Sequence, residues 1–140
     1  MNMTVLVKLD EGAFMPERAH LWDAGMDLRT PVGFTVKAHN SATVDTGVHI
    51  GIPRYYVGKL ESKSGLNVKH DIIGTGVIDS GYTGSIVVKL YNLGDNDYTF
   101  ERGDKIIQLL IQGCSICNMY EVEEMAETER GNNGFGSTGR

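Results

Sequence analysis

"GTGVIDSGYTGSI", residues 74–86, reads as strand, turn, strand. Val77 and Ile78 lead into Asp79, a tight Ser80-Gly81 turn follows, and Tyr82 and Gly84 precede the next apolar run. The pattern predicts a β-hairpin with a carboxylate and an aromatic ring at its bend. A plain hairpin explains Ser80-Gly81. It does not explain glycine at 74, 76, 81 and 84 around an acid and a ring, a density that would let a ligand approach the backbone closely.

The β pattern continues on both sides. Ile86, Val88 and Leu90 share a parity, as do Val44, Thr46, Val48 and Ile50. Val5 and Val7 alternate with Leu6 and Lys8, and Val32, Phe34 and Val36 with Gly33, Thr35 and Lys37. The run Ile106–Ile111, broken only by Gln108, predicts a strand buried on both faces. Turn signals separate these runs at Pro31, "AHNS" 38–41, "GIP" 51–53, "LGDND" 93–97 and "RGD" 102–104. Many short strands with frequent turns imply a sandwich, jelly roll or small barrel.

Two stretches have helical potential. In "SKSGLNVKHD" (62–71), Ser62 or Ser64 could cap a short helix carrying Leu66, Val68 and Lys69. "YEVEEMAETE" (120–129) reads equally as a final strand and a linker. Composition then shifts to glycine in "ERGNNGFGSTGR" (129–140). The expected organisation is one β domain over 1–128 and a flexible Gly-rich tail over 129–140.

The chain has 140 residues, 41% apolar and 22% charged, with a formal charge of −5. That suits one soluble domain and argues against a general nucleic-acid surface, while leaving room for a small phosphate site. No apolar run is long enough to span a bilayer, and "MNMTVLVKLDEG" lacks the basic start and long apolar core of a signal peptide. The expectation is a cytoplasmic protein with no membrane partner. Cys114 and Cys117 form a lone C-x-x-C with no further ligands at zinc spacing, so both are expected to be structural or incidental.

Five stretches carry chemistry-bearing residues. In "AGMDLR" (24–29), Asp27 alternates away from Met26 and Leu28, as a solvated carboxylate would. In "ESKSGL" (61–66), Ser64 and Gly65 at a helix start, with Lys63 beside them, suit an anion such as phosphate, though an ordinary cap reads the same way. The third is the 74–86 stretch. In the fourth, Gln108 is an amide inside an apolar run that must bond a neighbouring strand or a ligand. In the fifth, Phe135 lies between glycines near Arg130, Ser137 and Thr138, a ring and a cation for which a bare linker has no use.

In order and spacing, "AGMDL", "SKSGL", "GVIDSGYTG", "GDKIIQL" and "RGNNGFGSTG" resemble the five motifs of the homotrimeric dUTPases, over about residues 24–139. The resemblance implies an all-β, distorted jelly-roll or β-clip type barrel with one short helix. It also implies a homotrimer with interfacial sites and Mg²⁺-assisted hydrolysis of dUTP to dUMP and pyrophosphate. Such an enzyme limits uracil incorporation into DNA and supplies dUMP for dTMP synthesis. By the same resemblance Asp79 would activate the attacking water, Tyr82 would pack beneath the deoxyribose, and the backbone of Gly76 and Ile78 would pair with uracil. Ser64, Gly65, Gln108 and Lys63 would bind phosphates, and Asp27 would hold Mg²⁺ through water. Phe135 would stack on uracil while Arg130, Ser137 and Thr138 clasp the β/γ end.

Four positions depart from the family's pattern. Met26 stands for a tyrosine, Lys63 for an arginine (losing bidentate phosphate contact), Gly81 for an acid and Ser85 for a glutamate. The alternatives are a dUTPase-fold regulatory or binding trimer and a dCTP deaminase-related enzyme. The intact third and fifth stretches favour the hydrolase.

Overall fold

The computed structural model describes residues 3–139. Among these the alternating runs become ten strands: β1 (Leu6–Leu9), β2 (Met26–Arg29), β3 (Phe34–Val36), β4 (Ser41–Gly51), β5 (Tyr56–Glu61), β6 (Ile72–Ile73), β7 (Thr75–Ile78), β8 (Ser85–Asn92), β9 (Tyr98–Phe100) and β10 (Lys105–Gly113). One helix, α1 (Ser64–His70), lies between β5 and β6. The strands form two four-stranded sheets, ordered β1-β4-β8-β6 and β2-β10-β5-β7, with a β3-β9 ribbon. Every pairing is antiparallel, and the result is a distorted jelly roll.

Side-chain parity builds the core. Ile86, Val88 and Leu90 of β8 are buried while Val87, Lys89 and Tyr91 face outward. Val44, Thr46, Val48 and Ile50 of β4 are likewise buried. The β4–β8 register shifts between Asp45 and His49. At that irregularity the buried Thr46 hydroxyl donates to Ile86 O (2.7 Å) and accepts from Val48 N (3.2 Å), so its burial leaves no bond unmade. Leu28, Leu60, Leu109 and Phe100 close the core from the other sheet and the ribbon. The two-faced burial expected for Ile106–Ile111 holds only for its first part. A register shift between Lys105 and Ile107 accompanies full burial of both Ile106 and Ile107, whereas Leu110 and Ile111 are half-covered.

Residues 74–86 are not a hairpin. β7 pairs with β5, whereas β8 pairs with β4 and β6 in the other sheet. The reason is the turn type. Tyr82 N donates to Asp79 O (3.1 Å), and the positive φ falls on Gly81 (91°) and not on Ser80. That is type II geometry, whose twist splays flanking strands where a primed turn would join them. The turn therefore carries the chain from one sheet to the other. "RGD" repeats the device: Asp104 N bonds Glu101 O (3.1 Å), Gly103 has φ 92°, and β9 and β10 enter different sheets.

Two further expectations are corrected. Neither serine caps α1: Lys63 occupies the cap position without a side-chain bond, because Ser62 Oγ is engaged with the N–H (2.9 Å) and C=O (3.0 Å) of Gly74. Residues 120–129 form neither helix nor strand, and Tyr120, Val122 and Met125 are exposed. Among the described residues, no helix is long and apolar enough to cross a membrane.

Candidate active site

The expected site residues fall into three groups. In the first, the splay between β7 and β8 opens a cleft of about 280 Å³ lined by Gly76, Ile78, Asp79 and Tyr82, with Leu60 and Lys89. The turn bearing Asp79 and Tyr82 is pinned at its start by Ser80 Oγ donating to Ile52 O (3.1 Å). Tyr82 Oη donates to Ser85 O (2.9 Å), folding the ring back along the turn. Asp79 is exposed at the cleft's rim. A carboxylate facing open solvent beside bare backbone can hold a water and accept its proton.

The second group lies where β2, β10 and β5 meet. Gln108 pairs in register with Asp27 on one side and Glu61 on the other, next to Ser62, Lys63, Ser64 and Gly65. Gln108 Nε2 donates to Ser62 O (3.0 Å). A methyl added at Gly25 would lie 2.2 Å from Gln108 Oε1, so this amide position requires glycine there. Asp27 is not the solvated carboxylate that alternation implies. It is 7% exposed and held by Lys63 through Oδ1 and by Lys105 through Oδ2 (2.8 Å). Burial pushes its pKa up, but hydrogen bonds and charge from Lys105 and Lys63 outweigh this, and the net shift is below the ordinary value.

Lys105 was not singled out from the sequence. The available signal was its place opening the strand that carries Gln108, but only strand pairing brings it to Asp27. Around Asp27 the chain thus gathers two ammonium groups, an amide and the N–H groups at the start of α1, which no side chain caps. A methyl at Gly65 would meet nothing within 4 Å, so that turn faces open space. The set suits a polyanion.

The third group is the tail. Cys114 N–H to Tyr55 O (2.7 Å) is the last backbone bond from this end of the described chain to the β body; later ones are local. Arg130 Nε donates to Asn133 O (3.0 Å), and Ser137 and Thr138 sit in turns. Phe135 is wholly exposed with φ 52°, and no tail residue lines the cleft. Arg140 lies outside the described residues. Cys114 and Cys117 are free, and among the described residues no three His, Cys, Asp or Glu side chains gather as a metal site.

The first two groups do not converge within one chain. Extending the register, Asp79 falls level with Val57, four residues along β5 from Glu61, the partner of Gln108. At ~3.3 Å per residue and ~4.8 Å between strands, Asp79 lies about 16 Å from Gln108. Large apolar side chains are also left in solvent, among them Leu21 and Trp22 (92% exposed) and Val77 and Val87 flanking the cleft.

The family model for dUTPase matches residues 11–139. The deoxyuridine 5'-triphosphate nucleotidohydrolase of Clostridium novyi (strain NT) is 42% identical over 141 residues, covering 98% of this chain and 99% of that protein. The Staphylococcus bacteriophage 80alpha dUTPase solved with dUpNHpp superimposes with a TM-score of 0.93 at 32% identity, covering 99% of this chain and all of that one. A mutant dUTPase of S. aureus phage phi11, whose structure shows coordination of a structural Mg(II) ion, gives 0.80 at 31% identity over 87% of this chain and 98% of that one.

Proposed function

The chain belongs to the dUTPase family and is a dUTP diphosphatase, and we propose that it releases dUMP and pyrophosphate by attack of an Asp79-held water on the α-phosphorus. The observation that carries this reading is the cleft between β7 and β8, which sets Asp79 and Tyr82 beside Gly76 and Ile78 on the edge strand of their sheet. Backbone groups present a fixed donor–acceptor pattern. Uracil satisfies it, whereas cytosine leaves buried groups unpaired at roughly 1–3 kcal/mol each. The Tyr82 ring supplies the floor under the deoxyribose and leaves no room for a 2′-hydroxyl.

Lys63, Lys105, Ser64, Gly65 and Gln108 hold the triphosphate. In the free protein both lysines rest on Asp27, and phosphate oxygens compete for them. The separation of about 16 Å between Asp79 and Gln108 supports a site shared between subunits, with the cleft of one protomer completed by the phosphate corner of another. The exposed apolar side chains support a homotrimer as the assembly that does so. Phe135 and Arg130, free of their own body, then close over a neighbouring site, where Phe135 stacks on uracil and Arg130, Ser137 and Thr138 engage the β/γ phosphates. Closure excludes water from the phosphates.

The residues present fit Mg²⁺ carried in on the triphosphate better than a resident ion. Lysines occupy both oxygens of Asp27, and Glu61, the other acid beside Gln108, pairs with Lys59 (2.9 Å), which leaves Asp27 to contact the ion's water shell. When bound, the metal draws charge from the phosphate oxygens and fixes their conformation.

The test is pyrophosphate release from dUTP, dTTP, dCTP and UTP with Mg²⁺. Rapid release from dUTP alone is expected; equal rates on all four would overturn the assignment of selectivity to the cleft.

A further inference from the structure

The cleft turn has a second anchor, on the far side of Asp79 and Tyr82. His49, four-fifths covered on β4, places Nδ1 2.8 Å from Thr83 O and Nε2 3.0 Å from Asp10 Oδ2. Thr83 directly follows Tyr82, and Asp10 is itself fixed by its N–H to Gly47 O (2.9 Å). Both neighbours of the ring are acceptors. A neutral imidazole carries one N–H and satisfies one of them; only the doubly protonated ring donates to both. We propose that His49 is a positioning residue, an imidazolium clamped between Asp10 and the Thr83 carbonyl that fixes the turn carrying Asp79 and Tyr82.

The charged groups facing the ring are few. Lys8 on β1 is its register partner and opposes the positive charge. Asp10 favours it, and so does Asp45, four residues back on β4, whose carboxylate accepts from Ser85 Oγ and Gly47 N at the same end of the turn. The bond to Thr83 and the bond and charge of Asp10 hold the His49 pKa above its ordinary value of 6.5. A group raised on folding stabilises fully below its unfolded pKa and loses that contribution as pH rises through the folded one. The clamp is therefore complete in mild acid and opens on the alkaline side.

This rests on Asp79 as the water-holding group. It predicts an alkaline limb in kcat that belongs to a residue touching no substrate. In the wild-type enzyme kcat falls as pH rises through a midpoint above 6.5. In His49→Gln that limb disappears, because glutamine keeps at most one bond and does not titrate. In Asp10→Asn the limb moves to lower pH, because an acceptor remains but the charge is gone. Nitrogen-15 shifts of the His49 ring in the wild-type protein give a readout free of turnover: both nitrogens are protonated at pH 6 and titrate at the midpoint of the limb. A neutral ring at pH 6, a limb that survives in His49→Gln, or one unmoved in Asp10→Asn overturns the proposal. Absence of dUTP hydrolysis at every pH overturns the hydrolase reading instead, and the ring shifts still decide His49.

Discussion

Replacing Gly25 with alanine tests the phosphate corner through one added methyl. Gly25 has no left-handed φ, so alanine brings no backbone strain. Its Cβ would lie 2.2 Å from Gln108 Oε1, 3.0 Å from Cδ and 3.1 Å from Cβ. The amide must swing away and give up its 3.0 Å bond to Ser62 O. Overpacking of this kind costs about 1–3 kcal/mol, and the lost bond about 0.5–1.5 kcal/mol. If the amide also bonds a charged phosphate, kcat/KM loses a further ~1.5–3 kcal/mol of stabilisation, about 10- to 150-fold. A double-mutant cycle separates the clash from general damage. In a Gln108→Ala background the 2.2 Å and 3.0 Å contacts have no partner, so Gly25→Ala should cost much less stability there, with a coupling of ~1 kcal/mol or more. Urea unfolding at fixed protein concentration measures stability, and pyrophosphate release measures activity. Additive stability losses, or full activity in Gly25→Ala, would refute the steric account of why glycine stands at 25.

Asp79→Asn should lower kcat by ~10²–10⁴-fold, the usual contribution of a positioned base, with nucleotide binding by calorimetry largely kept. Unchanged turnover removes Asp79 from its role. Deleting residues 130–140 should shift stability by less than about 0.5 kcal/mol, since Phe135 is wholly exposed, yet leave little dUTP hydrolysis. Normal hydrolysis by the truncated chain would exclude a working tail. Ser85 Oγ and then Gly47 N–H hold the Asp45 carboxyl below its ordinary 3.8, so its stabilisation is present above that pH and lost as pH falls through the folded pKa. Ser85→Ala should return the Asp45 titration, followed by NMR, toward 3.8; no movement would show that the serine bond is not its cause.

Local chemistry determined much of this protein in advance. Parity in Ile86–Leu90 and Val44–Ile50 specifies which faces are buried, because side chains alternate along any extended strand. Ser80-Gly81 demands a tight turn, and glycine at 74, 76, 81 and 84 keeps the backbone around Asp79 and Tyr82 bare of side chains. The five ordered stretches carry the family and with it the substrate. Three features were beyond local reading. The stretch at 74–86 bridges two sheets because the sign of φ at Ser80 and Gly81, and with it the turn's twist, is settled only as the strands find partners in β4 and β5. Asp27 is buried and doubly paired because Lys63 and Lys105 arrive from other segments, and alternation within "AGMDLR" says nothing of what packs over it. His49, one of four scattered histidines in the sequence, meets Asp10 and Thr83 only when β1, β4 and the cleft turn assemble. Periodicity is a property of the chain, but which side chains face each other across a sheet depends on register, and register is fixed only by the packed whole.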